Sequence, residues 1–351
     1  MPVSNENRQD LRRKRLEAQL LSSTADRNVE NTVAHLLAVQ AQNLRSARLA
    51  LRARCPGITA RDVDGALTVD RSLVVAWLGR GTLHLVHKND YPWLLALTAP
   101  GREAPNRRRL RQEGVSEKDA ERAVSLIEVA LGEEGPLSRP ELAERLAAHG
   151  IPTAGQATPH LLMRAALRGV AVLGPVKDGV QDFVLTEEWV GTRPSTASAA
   201  DRPAILKQLA ERYLRGHAPA EPADLAVWSG LSMRDARAAF ESLAEREEDD
   251  AGPARSSVRL LPSYDPYLLG WKDRGFMVAD AHKRDLHPGG GVLRATVVAD
   301  GEAIGTWSHR RDGDNIKIHV SAFASLSTEV ESRIQQEALD VARFDGLVLS
   351  R

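Results

Sequence analysis

Apolar residues recur along this chain at two spacings, and the alternation between helical and strand-like spacing marks out its elements. Residues 11–21, 31–39 and 44–54 repeat apolar positions every three to four residues, which predicts three helices; Thr59 then caps a short fourth over 60–67. Two β-rich runs follow, Leu73–Leu78 and Thr82–His87, separated by Gly79-Arg80-Gly81, a hairpin signal. Leu83 and Leu85 are expected to face the core of that hairpin, leaving Thr82 and His84 on its other face. Helices followed by a hairpin give the order of a winged helix-turn-helix.

The same rhythm restarts downstream. Residues 121–131 are helical, Ser138 with Glu141 three residues on forms a capping box before a second helix, and 158–168 is a third. The strand-like runs 170–176 and 182–186 flank Lys177-Asp178-Gly179 as a second wing. A third copy is predicted over 202–216, 221–229 and 233–247, closed by the run 258–261. Pro140-Glu141-Leu142-Ala143 aligns with Pro222-Ala223-Asp224-Leu225-Ala226, a short internal repeat. Beyond residue 262 the texture turns β-rich, with 291–299 and 302–308 joined by Asp300-Gly301, a further strand over 315–320 and a closing helix over 329–344. The predicted fold class is therefore α+β: three tandem winged helix-turn-helix units plus a β-rich C-terminal region with a closing helix. Expected boundaries are 1–99, 118–192, 201–262 and 263–351, with 100–117 read as a basic linker and the Ser, Thr, Ala and Pro-rich stretch 192–200 as a boundary.

Charge narrows the function. Forty-seven basic side chains balance forty-seven acidic ones, so binding to nucleic acid by bulk charge is disfavoured and any such surface must be local. Local asymmetry exists: residues 1–61 hold eleven basic and five acidic side chains, and 102–111 holds five arginines against one glutamate. The single cysteine, Cys55, excludes internal disulfides and zinc sites built on paired cysteines. The ten histidines show no metal-binding helical spacing, so no metal is expected; no nucleotide cofactor is expected either. No apolar run is long enough to span a membrane and residues 1–10 lack the apolar core of a signal peptide, so a cytoplasmic address is expected.

The most informative stretch runs from Leu36 to Leu51, an apolar helix, a polar break containing Gln40 and Gln42, and an arginine-rich helix. On a helix, residues two apart point about 200° away from each other, so these two amides can serve one site only where the backbone is not helical. Asn43 supplies the break as the N-cap of the next helix. Arg45, Arg48 and Arg52 then fall on one helical face, an arrangement suited to phosphate. A polar turn followed by a solvated helix face would account for the same pattern.

Three motifs together resemble the AlkZ-like family of winged-helix DNA glycosylases: Ala38-Val39-Gln40-Ala41-Gln42, Arg80-Gly81-Thr82-Leu83-His84-Leu85-Val86, and Leu261-Pro262-Ser263-Tyr264-Asp265-Pro266-Tyr267-Leu268-Leu269-Gly270. The resemblance covers nearly the whole chain and places it in the branch whose signature is Gln-aliphatic-Gln, not the one with Asp at the second position. It implies a monofunctional enzyme that excises N7-alkylated purines from double-stranded DNA, with interstrand cross-links among the candidate substrates, in repair or self-resistance. Gln42 would position the water and Gln40 support it and the sugar; no lysine is required, hence no Schiff base. Arg45, Arg48, Arg52, Arg80, His84, Arg310 and Arg311 are the candidate DNA contacts, Arg310-Arg311 and the glycine triplet after His287-Pro288 being the two candidates for a lesion-engaging hairpin. A monomer is expected, since no stretch reads as a dimerisation helix. Two other readings stay open: a non-enzymatic winged-helix regulator, and a protein that sequesters a small alkylating molecule.

Overall fold

The computed structural model describes residues 5–22, 27–177, 179–194, 201–243 and 257–350. In chain order it opens with α1 (Asn5–Ala18), α2 (Val29–Leu36), the short strand β1 (Val39–Gln40), α3 (Leu44–Arg52) and α4 (Ala60–Thr68). β2 (Leu73–Leu78), β3 (Thr82–His87), α5 (Tyr91–Thr98), α6 (Pro100–Gln112), α7 (Glu117–Glu134), α8 (Arg139–Ala148) and α9 (Ala157–Leu167) follow. Next come β4 (Ala171–Lys177), β5 (Val180–Leu185), α10 (Thr186–Val190), α11 (Arg202–His217), α12 (Pro222–Ser229) and α13 (Met233–Glu241). The rest comprises β6 (Val258–Leu261), α14 (Pro266–Leu269), α15 (Lys283–Leu286), β7 (Thr296–Ala299), β8 (Glu302–Asp312), β9 (Asn315–Ala322), α16 (Thr328–Phe344) and β10 (Val348–Leu349). The fold is mixed α+β. Among the described residues, no helix is long and apolar enough to cross a membrane.

The chain divides into two compact units, one of residues 1–63, 207–228 and 233–351, the other of 64–206 and 229–232. Each draws on segments remote in sequence. This differs from compact modules strung end to end: the N-terminal helices share a unit with the C-terminal sheet, not with the hairpin that follows them.

In the second unit, β3, β2, β4 and β5 are antiparallel neighbours in that order. The β2–β3 hairpin has the predicted ends, and positive φ at Gly79 and Gly81 carries the turn. Leu85 is fully buried as expected, whereas Leu83 is only half-buried. Ser138 caps α8 with the reciprocal Glu141 contact of a capping box. The stretch 100–117, expected to be an irregular linker, instead forms α6: Asn106 and Leu110 are buried, and Asn106 donates to the His160 carbonyl on α9 at 3.0 Å. Its arginines mask a short buried stripe. The proposed boundary at 192–200 lies partly outside the described residues, as does the end of the predicted helix 233–247.

In the first unit, β10, β9, β8, β7 and β6 form a five-stranded sheet in that order. β6 was expected to close a third winged helix, but it pairs antiparallel with β7 and so is an edge of the C-terminal sheet. The Asp300-Gly301 turn joins β7 to β8 as predicted, both residues at positive φ. Against this sheet packs a core built on Trp271, Tyr267, Phe276, Leu268 and Leu261, to which Leu16 and Leu21 contribute from the N-terminal helical region.

Candidate active site

The glutamine turn is built by two helix ends. α2 stops after Leu36 because Leu37 takes φ 69°, a left-handed conformation rare for a leucine, with its side chain fully buried. Holding such a residue costs about 1–3 kcal/mol, offset by its packing. Val39 and Gln40 are then extended, with Val39 and Ala41 buried on either side of Gln40. Asn43 closes the turn: its side-chain oxygen accepts from Ser46 N at 3.0 Å and starts α3. Because the backbone is extended here, the two glutamine side chains project to the same side, and Gln40 Nε2 donates to Gln42 Oε1 at 2.8 Å. Gln40 is half-buried and Gln42 exposed. The structure thus brings the two amides together.

The arginines of α3 have different fates. Arg52 is buried and donates to Glu337 (2.9 Å), Asp340 (3.0 Å) and the Leu260 carbonyl (3.0 Å). Its two carboxylate partners on α16 outweigh desolvation and hold its pKa above the ordinary value. Expected as a phosphate contact, Arg52 instead ties α3 to α16. Arg45 donates to Asp345 Oδ2 at 2.5 Å and to His309 Nε2 at 2.6 Å, linking the start of α3 to the end of α16 and to β8. Burial, and then the nearby Arg45 charge, push the His309 ring below its usual pKa, so it is neutral at pH 7. Arg48 is half-buried.

Arg54, just past α3, is fully buried. Its five N–H groups are all used: two on Asp265, two on Gln19 and one on the Ala50 carbonyl. Asp265 also caps α14 through Tyr267 N at 2.9 Å. The Tyr264-Asp265 turn therefore ties the C-terminal region to the end of α3.

Arg80 stands exposed at the tip of the β2–β3 hairpin. His84 donates from Nδ1 to the Thr82 carbonyl at 2.9 Å, and burial pushes its pKa down to about 4. A neutral ring with Nδ1 protonated leaves Nε2 as an acceptor, which does not suit a phosphate oxygen. Arg310 and Arg311 are exposed near the end of the β8–β9 hairpin, opposite Lys317 and Ile316, and the turn is made by Gly313 at φ 56°. Gly289, Gly290 and Gly291, the alternative candidate, are all at positive φ in a loop held by Tyr264 Oη on the Gly291 carbonyl. Sequence reasoning missed His309 and Asp345: each is far along the chain from Arg45, and only the fold joins them.

Among the described residues, no group of three His, Cys, Asp or Glu side chains is arranged to hold a metal. The chain belongs to the AlkZ-like DNA glycosylase family, whose model matches residues 33–344. It is 26% identical to the interstrand DNA cross-link repair glycosylase of Streptomyces sahachiroi, over 95% of each chain. Its fold matches that of the Streptomyces sahachiroi DNA glycosylase AlkZ with a TM-score of 0.77 and 24% identity, covering 98% of each chain. The protein is accordingly a DNA glycosylase, and the regulator reading is not favoured.

Proposed function

We propose that this glycosylase hydrolyses the N-glycosidic bond of N7-alkylated purines in double-stranded DNA, interstrand cross-links included, with Gln40 and Gln42 as its catalytic residues. The observation that carries this is the 2.8 Å hydrogen bond between the two amides. A purine alkylated at N7 is cationic and already a good leaving group, so strong acid catalysis is unnecessary. What remains is to orient a water and to stabilise a sugar with oxocarbenium character, which fixed amide oxygens do. Gln42 Oε1 accepts one bond from Gln40 and keeps a lone pair for the water. Gln40 Oε1 is left to face developing charge on the sugar.

The exposed arginines Arg80, Arg310 and Arg311 are the phosphate contacts this reading favours, while Arg45 has its charge answered by Asp345. The helix-helix-helix-hairpin order of α2–α4 with β2–β3 recurs in α7–α9 with β4–β5, which supports reading these two stretches as winged-helix repeats. The enzyme acts as a monomer, both glutamines being supplied by one chain, and needs no cofactor.

The test is a duplex with one N7-methylguanine. Wild-type protein should release free N7-methylguanine and leave an alkali-labile abasic site, with no protein–DNA adduct trapped by borohydride. Tight binding without base release would support the regulator instead, and a trapped adduct would replace the water with a lysine.

A further inference from the structure

We propose that Arg45 and Asp345 are positioning residues for the glycosylase reaction, a charged brace from α16 that holds the first turn of α3, and with it Gln42, in place beside Gln40. This rests on the reading above that the two amides are catalytic, and it gives that site a support from the far end of the chain.

The need for a brace follows from burial. Gln42 is exposed and lies directly before the Asn43 cap, so its position is set by the backbone where α3 begins. Full burial along α3 starts at Ala47, while Leu44, Arg45 and Ser46 are only half-buried. The apolar core therefore fixes the body of the helix, and its first turn depends on polar contacts. The bond from Ser46 N to the Asn43 side chain, 3.0 Å, is local and moves with the turn. Arg45 reaches outside it: Nη2 donates to Asp345 Oδ2 at 2.5 Å and Nη1 to His309 Nε2 at 2.6 Å.

The far side of the brace is itself held. Asp345 closes α16, and its side chain is 13% exposed, so its charge is partly shielded from water and salt. Next to it Phe344 is buried, and Arg343 donates to the Gly57 and Ile58 carbonyls at 3.1 and 2.9 Å. Glu337 and Asp340 hold Arg52 at the other end of α3. α16 thus grips both ends of α3 and the loop after it, all within one compact unit. A pair of opposite charges joined by a hydrogen bond is among the stronger polar contacts available for this purpose. A reacting group displaced by about 1 Å loses on the order of 100-fold in rate, so slack in the first turn is felt at the water that Gln42 is to orient.

The experiment uses the full chain and a duplex with one N7-methylguanine, and reads the single-turnover release rate at saturating protein together with the duplex dissociation constant. Arg45→Ala and Asp345→Ala should each slow release about tenfold with duplex affinity unchanged. The double variant should also be about tenfold slower, because both changes break the same contact. His309→Leu, at an exposed strand position, should slow release by a smaller factor; it and Arg45→Ala leave α16 intact, so they decide the matter if Asp345→Ala does not fold. Release at the wild-type rate in the single variants overturns the proposal. So does a loss of about 100-fold in the double variant, which would mean separate roles, with Asp345 serving only to end α16. Weaker duplex binding by Arg45→Ala at an unchanged saturated rate also overturns it, by making Arg45 a phosphate contact. Slow release by Gln42→Ala beside fast release by these variants is failure of the brace alone, whereas fast release by Gln42→Ala is failure of the glutamine reading.

Discussion

His217 gives the sharpest quantitative expectation. It is fully buried, stacked on Tyr213 at 4.4 Å between ring centroids and edge-on to Trp228 and Trp271 at 5.6 Å. Nδ1 donates to the Tyr213 carbonyl at 3.0 Å, and Nε2 has no hydrogen-bond partner among the described residues. Burial pushes its pKa from 6.5 down to about 3, helped by the nearby Arg54, His35 and Arg15. The folded protein therefore keeps the ring neutral where the unfolded chain accepts a proton. Between pH 6.5 and about 3 the unfolded state binds more protons, so stability falls as pH falls through that window. At pH 5, 1.5 units below the ordinary value, the loss is about 2 kcal/mol at 1.36 kcal/mol per unit. Urea unfolding followed by tryptophan fluorescence reports on this site through Trp228 and Trp271. The wild type should lose about 2 kcal/mol more than His217→Phe between pH 7.5 and pH 5. Parallel pH dependence of the two proteins would refute the reasoning.

Four further outcomes follow from the same geometry. Asp265→Ala strands the buried Arg54 guanidinium and should cost about 3–5 kcal/mol, read as a lowered urea midpoint, with Gln19 unable to compensate alone. Gly174→Ala places a Cβ about 2.7 Å from the Trp189 ring and 2.9 Å from Val184, and should destabilise the second unit by about 1–3 kcal/mol in thermal unfolding. Replacing both Arg310 and Arg311 by Ala should leave the melting temperature in place and reduce the slope of log affinity against log salt by about 2. Arg52→Ala should instead lower the melting temperature, because it breaks the pairs to Glu337 and Asp340.

Much of the local structure was legible because short-range chemistry fixes it. The ends of β2 and β3 follow from alternation punctuated by Gly79 and Gly81, the start of α3 from the Asn43 cap, and the break between Gln40 and Gln42 from the requirement that both amides share a side. What was not legible depends on partners remote in sequence. Arg45, Arg48 and Arg52 look equivalent on a helical wheel, but carboxylates on α16, 285 and 288 residues away, bury Arg52. α6 was hidden by its arginines and by Pro105, since its reason to be helical is a buried contact with α9. β6 joins the C-terminal sheet through β7, a pairing that no local pattern specifies. The site follows the same division: the glutamines were visible in sequence, and the His309 and Asp345 contacts that fix the neighbouring Arg45 were not.

The central claim is that the paired amides perform the hydrolysis, and Gln42→Ala tests it most directly. In single turnover on a duplex with one N7-methylguanine, this variant should bind DNA as the wild type does and release base about 100-fold more slowly or worse. Base release at the wild-type rate by Gln42→Ala would contradict the account.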